Sequence, residues 1–145
     1  MSLFHLLSVS ASGMAAQRTR AELLVENLAN AETTRTAEGG PYRRKDAVFQ
    51  SSPQHSPFQA VFQRASVEAA VGVAVPEIVM DTREPELRYL PGHPDAQPDG
   101  YVAFPRINPA EDMADLVGAT RGYQANIAAM SAVKDMIQRS MDLLR

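Results

Sequence analysis

Residues 108–145 read NPAEDMADLVGATRGYQANIAAMSAVKDMIQRSMDLLR, and this stretch decides what kind of fold the chain has. Steps of three and four from Met113 land on Leu116, Thr120, Tyr123, Ile127, Met130, Lys134, Ile137, Met141 and Leu144. Only two of these are polar, the pattern of a helix with a single apolar seam. The start is marked chemically. Asn108 can cap the free amides, Pro109 stands where its missing N–H costs nothing, and Glu111 can complete a capping box. Glu111, Asp112 and Asp115 fall near the positive end of the helix dipole, and Arg139 and Arg145 near the negative end. A long helix over 109–145 is expected.

A second stripe runs along the same helix. Ala114, Gly118, Gly122 and Asn126 recur every four residues and would let another backbone approach closely. A glycine inside a helix costs about 1 kcal/mol relative to alanine, so some packing gain must offset it. A contact between subunits would supply that gain, and so would a tight hairpin within one chain.

The amino terminus carries a similar seam. From Leu3, steps of four and three give Leu7, Ser10, Met14, Gln17, Ala21, Leu24, Leu28 and Ala31, while Arg18, Arg20, Glu22 and Glu26 fall off it. At 1.5 Å per residue the two helices would be about 40 Å and 50 Å long, more than a small domain needs to close a core. Part of their apolar surface is therefore expected to await neighbours. The packing candidates are Leu7, Met14, Leu24 and Leu28 on the first helix, and Leu116, Tyr123, Ile127 and Ile137 on the second.

MSLFHLLSVSASGMAA does not read as a secretory signal. No Lys or Arg precedes Arg18, and His5 and several serines interrupt the apolar run. No stretch of eighteen apolar residues is present to span a bilayer. The composition, 45% hydrophobic and 21% charged over 145 residues, is that of an ordinary folded chain. A net charge of −3 gives no electrostatic case for nucleic acid, and the one basic run, Arg43 to Lys45 beside Asp46, reads as a solvated loop. With no cysteine, disulfides and thiolate chemistry are excluded.

Between the helices the period shortens. VGVAVPEIVM (71–80) reads as a strand interrupted at Pro76, a turn at TREP leads to ELRYL as its partner, and YVAFP follows. Residues 50–70 read as a loop or irregular strand. The expected fold class is α+β, with long N- and C-terminal helices packed as a coiled-coil-like pair around a small β-rich middle region. Its divisions are 1–35, 36–108 and 109–145.

PGHPDAQPDGYV (91–102) holds the residues that most invite a catalytic reading. His93, Asp95 and Asp99 are the right types for a metal or acid–base site, but a single imidazole stands there, with His5 and His55 remote in sequence. No serine elbow, phosphate-binding glycine loop or zinc signature occurs. Pro91, Gly92, Pro94, Pro98 and Gly100 spell two consecutive turns feeding a strand. No enzyme activity, catalytic residue, cofactor, metal or small-molecule substrate is expected, and the loop is read as orienting the middle region on the helices.

The order of LVENLANAETT, GGPYRRK, GVAV, PGHPDAQPDGYV, EDMADLVGATRGYQAN and a long final helix resembles the family of flagellar basal-body proximal rod proteins, of the FlgC type. The likeness covers nearly the whole chain. Asn30 and Thr33 match its axial signature and are expected to end the first helix, Asn30 because asparagine tolerates a left-handed cap. Pro91, Gly92, His93, Pro94, Asp95, Gly100 and Tyr101 match its central block. The resemblance implies a structural subunit of the periplasm-spanning rod, exported by the flagellar type III apparatus without a cleaved signal. Implied partners are copies of itself, other rod subunits, the inner-membrane ring or export gate, and a rod-base adaptor. A soluble coiled-coil adaptor or secretion chaperone would share the helices, yet would not need the β-rich insertion.

Hydrogen exchange on the dilute purified chain tests whether the helices await neighbours. Fast exchange over 1–35 and 109–145, with protection over about 71–104, is expected; uniform protection of both helices would favour the self-contained adaptor.

Overall fold

The computed structural model describes residues 3–53 and 71–143. The readings placed on residues 54–70, Leu144 and Arg145 lie outside the described residues. The fold is α+β. Helix α1 spans Leu3–Ala29, strands β1 to β4 span Lys45–Pro53, Val71–Met80, Glu86–Tyr89 and Tyr101–Phe104, and helix α2 spans Pro109–Asp142. Among the described residues no helix is long and apolar enough to cross a membrane.

The chain divides into two compact units, Met1–Thr19 with Val48–Pro76 and Ala119–Arg145, and Arg20–Ala47 with Glu77–Gly118. In the first, α1 and α2 run antiparallel. A Cβ placed on Gly13 would stand 3.0 Å from the Asn126 amide oxygen, and one on Gly122 would stand 3.1 Å from Gln17 Cδ. Ala16, Ala119 and Val133 are buried in this unit. The Ser12 hydroxyl accepts the Val73 N–H at 3.0 Å and ties the start of β2 to α1.

In the second unit the buried apolar side chains are Leu23, Leu24, Tyr42, Val102 and Phe104. Full burial of one leucine is worth about 2 kcal/mol, so this small group supplies much of the unit's stability. Alternation along β4 turns Val102 and Phe104 inward and leaves Tyr101 outside. At the entry to α2 Asn108 caps as expected: its Oδ1 accepts the Ala110 N–H at 3.2 Å, and its carbonyl accepts the Asp112 N–H at 3.0 Å. At the close of α1, the Asn30 side-chain amide donates to the Glu26 carbonyl at 2.9 Å.

The strand pairing differs from the expected one. ELRYL is not the partner of β2. β1 pairs with β2, and β3 pairs with β4 antiparallel with Glu86 opposite Phe104 and Tyr89 opposite Tyr101. One edge of β2 is taken by β1, a pairing that the Asp81 N–H continues by donating to the Arg44 carbonyl at 2.8 Å. The Asp81 side chain then accepts the Arg83 N–H and turns the chain away before β3. Pro76 does not interrupt β2, because in a two-stranded sheet its missing N–H can face the open edge.

The loop between β3 and β4 contains three successive turns rather than two, closed by His93 N–H to Leu90 O, Ala96 N–H to His93 O and Gly100 N–H to Gln97 O. Gly100 has φ +83°, and a Cβ there would stand 2.8 Å from the Tyr89 ring, which also meets Tyr101 edge-on. Both the conformation and the space require glycine. Gly100→Ala is expected to destabilise the protein by about 2 kcal/mol in denaturant unfolding, and Tyr89→Ala in that background to recover only the steric part.

Candidate assembly surface

The polar groups nearest the centre of the second unit are structural. Asn27 is 0% exposed, one helical turn from the buried Leu23 and Leu24 of α1. Its Nδ2 donates to the Lys45 carbonyl at 2.9 Å, and its Oδ1 accepts the Lys45 N–H at 2.9 Å and the Tyr42 hydroxyl at 3.0 Å. The side chain therefore replaces a neighbouring strand at the first residue of β1. Around it, Lys45 pairs with Glu26 and lies 5.7 Å from the Tyr42 ring centre. Arg44 pairs at 2.9 Å with Asp112, whose side chain is 2% exposed. The run Arg43 to Lys45, read from sequence as a solvated loop, is thus largely engaged in ion pairs. Asn27, Tyr42, Arg44 and Asp112 were not candidates on sequence. The available signal was an asparagine one helical turn from Leu23 and Leu24, on the side of α1 that is buried.

The 91–102 loop does geometry. The Asp95 N–H donates to His93 Nδ1 at 3.1 Å, and the His93 ring stands edge-on to Phe104. Asp95 in turn accepts the Thr34 hydroxyl at 2.8 Å and pairs with Arg35, so the loop is fastened to the segment that follows α1. Thr33 donates its hydroxyl to Asn30 Oδ1 in that same segment. Pro91, Gly92, Pro94 and Tyr101 are exposed, and no group of three or more His, Asp or Glu stands together among the described residues.

The helix faces are offset from the sequence seam. On α2 the buried and half-buried positions include Asp112, Leu116, Ala119, Gly122, Asn126, Met130, Val133 and Ile137. The heptad of the sequence shares only some of these; elsewhere it is displaced by one residue, about 100° around the helix. Tyr123 and Ile127 are 37% and 44% exposed. On α1, Leu24 is buried, and Leu7, Met14 and Leu28 are half-buried. The small-residue stripe divides: Gly122 and Asn126 face Gln17 and Gly13 of the same chain, whereas Ala114 is exposed and a side chain added at Gly118 would meet open space. Small and amide-bearing residues pack within the chain, and larger apolar ones are left outside. In the second unit Val25, Ile78, Met80, Leu87, Tyr89, Met113 and Val117 are likewise exposed. Scattered exposed apolar side chains are ordinary in a monomer.

Asn27→Ala leaves the Lys45 main chain and the Tyr42 hydroxyl without their partner, and is expected to cost about 2–4 kcal/mol in chemical denaturation. Burial, with the charges of Glu26 and Asp112, pushes the Tyr42 hydroxyl from 10.0 up to about 12. The folded state thus holds this proton more tightly than the unfolded one. Its contribution is fully present below pH 10 and is lost as pH rises from 10 to about 12. Tyr42→Phe is expected to flatten the alkaline limb of a stability–pH profile.

Comparison with known proteins bears on the whole chain. Residues 99–143 match the family model described as "Flagellar basal body rod FlgEFG protein C-terminal". The chain is 40% identical over 150 residues to the flagellar basal-body rod protein FlgC of Bacillus subtilis, covering 99% of both proteins. It is 33% identical to the protein of that name in Borreliella burgdorferi, covering 100% of this chain and 99% of that protein. It is also 33% identical to that of Salmonella typhimurium, covering 99% and 98%. Agreement of this size along the full length leads to one assignment: the chain belongs to the family of flagellar basal-body rod proteins FlgC.

Proposed function

We propose that this protein is a structural subunit of the bacterial flagellar basal-body rod, and that it builds the rod by laying its terminal helices against copies of itself and other rod subunits. The observation that carries the reading is the full-length likeness to proteins named for that structure. The distribution of side chains supports it physically. Gly13, Gln17, Gly122 and Asn126 bring α1 and α2 together in the first unit, leaving Tyr123 and Ile127 for an outside contact. A contact of that kind repeated around an axis, between unlike patches, generates a helical tube rather than a closed dimer. The role is mechanical and needs no reaction. The same reading places the chain in the periplasm-spanning part of the basal body, exported through the flagellar type III apparatus without a cleaved signal, and next to the inner-membrane ring, export gate and rod-base adaptor. Full-length likeness to rod proteins favours this over the adaptor or secretion chaperone.

Two variants test the surface. Gly122→Leu would disturb the chain's own packing against Gln17, so it does not isolate a subunit contact. Gly118→Leu adds a side chain into open space and raises helix propensity, so the monomer is expected to keep its stability. Expressed in a strain lacking its own copy, Gly118→Leu and the pair Tyr123→Ser and Ile127→Ser are each expected to abolish swimming at normal protein level. Normal motility in either would remove that surface from assembly.

A further inference from the structure

Asp99 is set apart from the other aspartates and asparagines by the residue that follows it. Of the twelve in the chain it alone precedes a glycine; the others precede alanine, proline or a larger residue. The backbone nitrogen one residue on can close a five-membered ring onto an aspartate Cγ, and a side chain on that next residue hinders the closure. Gly100 carries none, and Asp99 is exposed to solvent.

The folded loop withholds the nucleophile. The Gly100 N–H donates to the Gln97 carbonyl at 2.8 Å, and Asp99 Oδ1 accepts the Tyr101 N–H at 3.3 Å, one residue beyond the nitrogen it would react with. On either side, the Gly100 carbonyl accepts the Leu90 N–H at 3.0 Å and the Gln97 N–H donates to the Tyr101 carbonyl at 2.8 Å. The Tyr89 ring lies against Gly100, 2.8 Å from where a Cβ would stand, and Tyr89 is held opposite Tyr101 by the strand register. Ring closure needs the amide nitrogen to release its proton and to approach Cγ at a near-attack distance of about 3–3.5 Å. Both steps require the Gly100 to Gln97 bond to break and the peptide between its neighbouring hydrogen bonds to rotate.

We propose that Asp99, with Gly100, is a site of spontaneous backbone isomerisation that the folded β3–β4 loop keeps shut, and that it reacts when this loop opens. The Gly100 nitrogen attacks Asp99 Cγ: the N–Cγ bond forms, one Cγ–O bond breaks, and that oxygen leaves as water carrying the amide and carboxyl protons. Water then reopens the imide. Addition at the former main-chain carbonyl leaves the chain running through Cβ and Cγ, an isoaspartate of unchanged mass with its carboxylate on Cα. One water is released and one taken up, and no other reactant enters. The product has an additional main-chain atom between Pro98 and Gly100, so Gly100 no longer offers its N–H to Gln97 and its carbonyl to Leu90 together. A chain modified while open therefore keeps a defect at the β3–β4 link after it refolds. The inference stands on the loop alone and is independent of the rod reading.

The test is to age the full chain at neutral pH, folded and in urea, and to follow the tryptic fragment 89–106, in which isoaspartate separates from aspartate at equal mass. Labelled methyl transfer from S-adenosylmethionine by a protein isoaspartyl methyltransferase counts the same product independently. Formation at Asp99 is expected to be about tenfold or more slower in the folded chain than in urea, because the folded chain reacts only from its open population. Tyr89→Ala removes the ring packed on the loop and is expected to raise the folded rate while leaving the rate in urea unchanged. Asp99→Glu keeps the carboxylate but would have to close a six-membered ring, and is expected to stop the reaction at this position in both conditions. Asp95, followed by Ala96 in the same fragment, is the internal reference. Equal rates at Asp99 in the folded chain and in urea would overturn the protection by the loop. A rate at Asp99 in urea no greater than that at Asp95 would overturn the site itself.

Discussion

One buried amide organises half of this molecule. A strand that begins beside a helix leaves its first N–H and C=O without a ladder partner, and burying them unpaired would cost several kcal/mol. Asn27 meets both from the side of α1 and takes the Tyr42 hydroxyl on its remaining lone pair. The direction in which β1 leaves the helix follows from that pairing. Once β1 is placed, Arg44 lies against Asp112 at the start of α2 and its carbonyl receives the N–H of Asp81. An apolar residue at position 27 would fill the same space but could not dictate the register of the strand.

The packed faces of the two helices carry a different logic. Gly13, Gln17, Gly122 and Asn126 bring two backbones close with little apolar area between them. Such a contact is specific in shape and modest in energy, because its gain is dispersion rather than transfer of large side chains from water, and the buried Gln17 Oε1 has no hydrogen-bond partner. Stability that is modest in the single chain suits a subunit that assembles with other rod components. The same economy appears around β3, whose four residues are all exposed in a two-stranded sheet.

Parts of this were legible in the residues themselves. The Asn108 and Pro109 start of α2, the end of α1 at Asn30 and the turn-rich nature of 91–100 all depend on contacts within a few positions of chain, which local chemistry specifies. The match of the central and terminal motifs to a flagellar rod family was equally legible, and the full-length relatives agree with it. Three features were not. The partner of β2 proved to be the strand opening with Lys45, whose preceding arginines look like a loop when counted as charges. The buried face of α2 is displaced from its most apolar seam, and the arginines at 43, 44, 83 and 106 meet only in space.

The sequence by itself determined the two long helices, their caps, the β-rich middle and the family, since propensity, capping and periodicity act over a few residues. Only the tertiary structure decided which face of each helix is buried, which strands pair and where Asn27, Asp112 and the arginines stand. Those outcomes depend on satisfying buried polar groups across 18 to 68 residues of chain, and periodicity counts apolar side chains without knowing where an unpaired N–H or carboxylate must go.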